Sequence, residues 1–254
     1  ARGSRYYAAN GRGKGRAAMT NTAVLTGERT GTRSSSLKEM KALAFFGGGT
    51  GGHLFPGLAV AERTRERFPD CDIVFFRTRR EVEEKVFANC GFRTEIIDLS
   101  PPSGGAGALF RYSLQSLRAL TVIRKALCSG YDAAIGLGGY ASLPGIIAAR
   151  HVGLPVVLLE QNQVPGKVNR LAAPFVDAVT CPSPEVVERL GGRREVTGNP
   201  VRGTVVRAAR RRSRRFAAGV FSKRLRQIVV VGGSQGAHGI NKAITGALRE
   251  LFEY

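Results

Sequence analysis

From Lys41 onward, short apolar runs alternate with longer stretches whose apolar positions recur at helical spacing. Residues 41–46 predict a strand that runs into three glycines, Gly47–Gly49. A helix is predicted from about Gly52 to Arg67, with Leu54, Leu58 and Ala61 on one face. A strand at 72–76, a charged helix near 80–89 and a strand at 93–98 follow. Pro101-Pro102-Ser-Gly-Gly-Ala-Gly predicts a loop, then comes a longer helix near 109–128. Its stripe of Leu109, Phe110, Leu114, Leu117 and Leu120 reads as core, or as a face that dips into a bilayer interface. Strands recur at 131–136, 155–159, 177–181, 194–197 and 228–231, and a last helix begins near Gly236. Apolar strands alternating with helices predict a parallel sheet covered on both faces. Right-handed crossovers make that an α/β, doubly wound, Rossmann-like fold. The unit of strand, glycine loop and helix occurs at 41–67 and again at 228–252. We therefore expect a Rossmann-like domain over 40–201 and the truncated start of a second over 202–254. Residues 1–39 are rich in Gly, Arg, Ser and Thr without any period, and read as a disordered leader.

Composition changes this picture in two places. The four cysteines, Cys71, Cys90, Cys128 and Cys181, stand far apart, which argues against a zinc site or disulfide framework and for a reducing, cytoplasmic setting. No apolar run reaches the roughly 18 residues of a membrane-spanning helix. The net charge of +20 by itself suggests a nucleic-acid or acidic-membrane binder. Its distribution redirects that reading. Residues 1–41 hold nine basic and two acidic residues, residues 202–226 ten and none, and the body between is nearly balanced. The run Arg207, Arg210, Arg211, Arg212, Arg214, Arg215 lacks interleaved aromatics apart from Phe216. It reads as a solvated interdomain helix, and no nucleic-acid partner is expected.

The candidate chemistry lies in five loops. Gly47-Gly48-Gly49-Thr50-Gly51-Gly52-His53 joins a strand to a helix, where glycines admit close approach and free N–H groups favour an anion. It also fits the weak dinucleotide pattern GxGxxG, but the second strand ends Arg77-Thr78-Arg79-Arg80, without the acidic residue an NAD site needs. An NADP-dependent oxidoreductase is thus the alternative reading. His53, in the first helical turn, is either a surface residue or a general base. The positive helix end favours its neutral form. Gly136-Leu-Gly138-Gly139-Tyr140-Ala-Ser142-Leu-Pro144 follows another strand, and Glu160-Gln161-Asn162 ends a further one, with Pro165, Gly166 and Asn169 beyond it. Polar groups at the carboxyl ends of parallel strands lie where ligands bind, though each segment also reads as plain loop chemistry. Gly198-Asn199-Pro200-Val201-Arg202 reads as a hinge with a phosphate-capable arginine, and Gly232-Gly233-Ser234-Gln235-Gly236-Ala237 as a second helix-opening loop.

In this order, the motifs GGGTGGHxxP, GxGGYxSxP, EQNxxPGxxN, GNPVR and GGSQGA resemble the MurG family, in glycosyltransferase family 28. The resemblance covers about residues 41–254. It implies the GT-B fold, two Rossmann-like domains facing across a cleft, with the second incomplete here. It implies an inverting transfer of N-acetylglucosamine (GlcNAc) from UDP-GlcNAc to lipid I, forming lipid II at the cytoplasmic face of the bacterial membrane. No cofactor or metal is implied. By the resemblance, Thr50, Gly51, Gly52, Asn162, Arg202 and Ser234 contact the donor and His53 is the base. Tyr140, Glu160 and Gln161 bind acceptor or position other groups. The family's later motifs, which hold uracil, ribose and GlcNAc, are not among the 254 residues, so the chain alone is expected to be inactive. The acceptor-side loop, Ser100–Gly105, departs from the family in having no Arg or Lys.

Overall fold

The computed structural model describes residues 39–217, 230–232 and 237–252. The expected leader therefore lies outside the described residues, Glu39 excepted. The elements run β1 (Ala42–Phe46), α1 (Gly51–Arg67), β2 (Asp72–Arg77), α2 (Glu81–Phe87) and β3 (Arg93–Ile96). Next come α3 (Ala106–Leu127), β4 (Ala133–Gly136), α4 (Leu143–His151), β5 (Val156–Leu159) and α5 (Lys167–Ala172). β6 (Ala178–Cys181), α6 (Pro184–Val187), β7 (Arg194–Val196), α7 (Gly203–Ala217) and α8 (His238–Phe252) complete the order. All seven strands pair in parallel, in the order β3-β2-β1-β4-β5-β6-β7. The order reverses between β1 and β4, and in open parallel sheets that crevice is where ligands bind.

The two-residue period of a strand splits β1 between two cores. Leu43 and Phe45 pack with Ile73, Phe75 and the buried faces of α1 and α2. Ala44 and Phe46 pack with Val74, Phe76 and residues of α3, α4, α5 and α6. Phe45 stacks on Phe75 with ring centroids 4.5 Å apart, and Phe46 lies 5.1 Å from Phe76. The near-continuous apolar strands are thus buried on both faces, as parallel sheets require. Gly145 of α4 lies so close to Phe46 that a Cβ there would stand 2.2 Å from the ring.

Two expectations change. The stripe on α3 is core only at Leu120, which packs partly buried against the cluster. Leu109, Phe110, Leu114 and Leu117 are exposed, Phe110 by 74%, while Tyr112, Ala119, Ile123 and Leu127 face inward. Helical spacing alone does not say which of two apolar faces meets the sheet. Val230 and Val231 form no strand and are exposed, whereas Ile228 and Val229 lie outside the described residues. A strand needs a ladder partner, and among the described residues nothing pairs with this segment. The arginine run does form a helix, α7, with Arg207, Arg210, Arg211 and Arg212 exposed.

Candidate active site

The carboxyl ends of β1, β4 and β5 bring three of the five motifs together. Gly47 and Gly49 have φ of +122° and +88°, which turn the chain off β1 at little cost for glycine alone. A Cβ on Gly47 would stand 2.7 Å from the Gly138 carbonyl oxygen, so the first two glycine loops touch backbone to backbone. Thr50 is the extended N-cap of α1, but its hydroxyl does not cap the helix. Instead Thr50 Oγ1 lies 3.0 Å from His53 Nδ1. The N–H groups of Gly51 and Gly52 have no acceptor among the described residues, so the positive end of α1 is open to an anion.

His53 points its ring toward the second loop. A side chain at Gly138 (φ +93°) would come within 3.3 Å of the imidazole. Burial lowers the His53 pKa, against a smaller opposing pull from Glu160, so the ring is held neutral. Tyr140 lies next to Gly49, and its backbone carbonyl accepts the Tyr112 hydroxyl of α3 at 2.8 Å. Burial pushes the Tyr140 phenol up, opposed in part by Thr78 and Arg80 beside it.

Glu160 follows β5 and is 2% exposed. One oxygen accepts the Asn162 N–H and side-chain amide at 2.8 and 3.0 Å. The other accepts the Gly166 N–H at 2.9 Å and Asn169 Nδ2 at 3.0 Å. Glu160 therefore organises its own loop and is spent on it. Gln161 Nε2 donates to the Leu137 carbonyl at 3.2 Å. Gln161 Oε1 and Asn169 Oδ1 are buried without a protein donor.

The hinge motif reaches this cluster from the far side. Asn199 Nδ2 donates to the Gln161 carbonyl at 3.0 Å, and Arg202 pairs with Glu62 of α1 at 2.7 Å. A cavity of about 580 Å³ opens beside Gly51 and Gly52, lined by Phe55, Pro56, Pro200, Val201 and Arg202. A slightly larger groove of about 620 Å³ lies between α1 and α7, around Arg63, Arg67 and Arg207. It borders the other end of α1 and holds none of the candidate residues. Ser234 lies outside the described residues. Among the described residues, no cluster of His, Cys, Asp and Glu is arranged to hold a metal ion.

Two residues of the cluster have no candidate role in the sequence reading. Asn169 stands inside the quoted EQNxxPGxxN pattern, so a signal for it was present. Glu83 is fully buried against the first glycine loop. In the sequence it is one of three acids in a short charged helix, and nothing there sets it apart.

Residues 43–181 match the glycosyltransferase family 28 N-terminal domain. A protein of Anaeromyxobacter sp. is 39% identical over 208 residues, covering 81% of this chain and 53% of that protein. One of Pelobacter propionicus is 37% identical over 229 residues, covering 81% and 59%. Both are named UDP-N-acetylglucosamine–N-acetylmuramyl-(pentapeptide) pyrophosphoryl-undecaprenol N-acetylglucosamine transferase. The crystal structure of Acinetobacter baumannii MurG superposes with a TM-score of 0.61 at 26% identity, covering 83% of this chain and 57% of that one. The chain thus spans a little over half the length of these relatives. The matched segment runs from β1 to β6, the strands whose ends carry the glycine loops and the Glu160 loop. This chain, an α/β protein of the GT-B fold, belongs to glycosyltransferase family 28.

Proposed function

We propose that the chain supplies the acceptor side of an inverting transferase that moves GlcNAc from UDP-GlcNAc to lipid I, giving lipid II. The convergence of both glycine loops and the Glu160 loop on a neutral, half-buried His53 supports this reading most. Residues 40–201 are then the acceptor domain and 202–254 the start of the donor domain. With Nδ1–H donating to Thr50 Oγ1, His53 presents the Nε2 lone pair as base. The muramyl hydroxyl gives its proton to Nε2 as its oxygen bonds to C1 of GlcNAc, and the bond from C1 to the UDP oxygen breaks. The departing UDP carries negative charge, which the free N–H groups of Gly51 and Gly52 and the positive end of α1 stabilise. Thr50, Asn162, Arg202 and Ser234 complete the donor contacts. Tyr140 and Gln161 position the acceptor, and Glu160 positions the loop that carries Asn162 and Asn169.

The acceptor is a lipid, and α3 fits a peripheral seat at the cytoplasmic membrane face. Its N-terminal half exposes Leu109, Phe110, Leu114 and Leu117. That half begins at the same edge of the sheet as the glycine loops, since α3 follows β3. No described helix is long and apolar enough to cross a membrane.

The test is a titration of the 254-residue chain with a short-chain lipid I analogue, UDP-GlcNAc and NADPH. Saturable binding of the analogue, lost in Tyr140→Ala, is expected. Binding of NADPH with no binding of the analogue would replace this reading with the NADP-dependent oxidoreductase.

A further inference from the structure

A carboxylate with no apolar or solvent reason to be where it is lies under the first glycine loop. Glu83 is 0% exposed, yet it belongs to a seven-residue helix whose other first-turn acids face water. Its side chain crosses from α2 to the carboxyl ends of β1 and β2. Oε1 accepts the Gly49 N–H at 2.6 Å and the Thr78 hydroxyl at 2.9 Å. Oε2 accepts the Thr78 N–H at 2.6 Å. All three partners are donors, two of them backbone, so only an acceptor with two oxygens satisfies the site. The loop is shaped to receive it: a Cβ on Gly48 would stand 2.7 Å from Glu83 Oε1. Burying a carboxylate is costly, and a core that needed only filling would use an apolar side chain.

The clamp acts one residue before the N-cap. Gly49 is bonded to Glu83, Thr50 follows it, and Thr50 Oγ1 holds His53 Nδ1. We propose that Glu83 is a positioning residue: it fixes the height of the first glycine loop and, through Gly49 and Thr50, the ring orientation and tautomer of His53. It touches no reacting group itself. The proposal rests on the reading of His53 as base only for its catalytic meaning, and its test needs no turnover.

Nitrogen NMR of the 254-residue chain reads both ends of the clamp. The wild-type ring of His53 should show one tautomer. Glu83→Leu removes both acceptor oxygens and their three hydrogen bonds at similar volume, and Gly48→Ala pushes the loop off an intact Glu83. In both, Gly49 amide exchange should rise about tenfold or more, the scale of a hydrogen bond to a charged group. The His53 signature should move toward a tautomer mixture, while amides of β5 to β7 keep their shifts. The other charged groups near His53, Glu160 above all, are unchanged in both variants. Folded variants with unaltered Gly49 and His53 signals would overturn the proposal. So would failure of both to fold, which would make Glu83 a purely structural residue. A near-normal rate for a His53→Ala enzyme would sink the base assignment and leave the clamp standing.

Discussion

At the scale of single residues, the chemistry depends on which nitrogen of His53 carries the proton. Where Nδ1–H donates to Thr50 Oγ1, Nε2 is left with the lone pair that a base needs. Turnover is best measured in a chimera joining this chain to the C-terminal remainder of the Anaeromyxobacter relative. There His53→Ala should lower kcat by roughly 10²–10⁴-fold, the usual share of a general base. Thr50→Val should lower it by about three- to tenfold, one neutral hydrogen bond's worth, and Thr50→Ser should restore it. The lowered pKa of His53 also carries a sign for stability. The unfolded chain takes up a proton as pH falls through 6.5, while the folded ring resists it. Folded protein is therefore favoured above that pH and loses this contribution as pH drops toward the lower, folded value. Urea midpoints at pH 7.5 and 5.5 should fall more steeply with acid in the wild type than in His53→Asn. The glycine loops and His53 were legible in the sequence because glycine clusters after strands mark backbone that must turn and approach closely. Glu83 was not, since its meaning comes from a contact 34 residues away that no local pattern encodes.

At the scale of elements, the inner strands β1, β2, β4 and β5 were readable because burial on both faces leaves them as apolar runs, whereas the edge strands β3 and β7 are polar and largely exposed. The ends of β1 to β7 lie within two residues of the expected ones; β3, for example, stops at Ile96 where the pattern continued to Asp98. What periodicity did not reveal is facing. On α3 two stripes compete, and the smaller one, Tyr112, Ala119, Ile123 and Leu127, is the one that packs. A small residue is required where α4 lies close to β1, at Gly145 over Phe46. Gly145→Ala should cost about 1–3 kcal/mol or more through overpacking on Phe46. Urea unfolding of the 254-residue chain checks this, and a midpoint equal to wild type would show that the sheet yields there.

At the scale of the whole molecule, the arginines of α7 and the apolar stripe of α3 lie on opposite faces of the sheet. α7 packs along α1, and Arg202 at its start pairs with Glu62 of that helix. α1 covers one face of the sheet and α3 the other. A flat bilayer that receives Phe110 and Leu117 therefore does not meet Arg210 and Arg211. The described arginines of α7, Arg207, Arg210, Arg211 and Arg212, therefore do not border the proposed lipid-facing patch; its basic neighbours are Arg111, Arg118, Arg124 and Lys125 on α3 itself. Burying one Phe or Leu in the interface is worth about 1.5–3 kcal/mol, and each basic residue near an anionic surface adds about 1 kcal/mol. The double variant Phe110→Ser, Leu117→Ser should thus lower binding to phosphatidylglycerol-containing vesicles at least tenfold by cosedimentation. Arg111→Glu with Arg118→Glu should lower it too, and by less as salt rises, because screening already weakens the wild type. Arg210→Glu with Arg211→Glu should leave it unchanged. Equal losses from the α3 and α7 charge pairs would mean that the membrane meets a different surface, and that the glycine loops do not open toward the lipid.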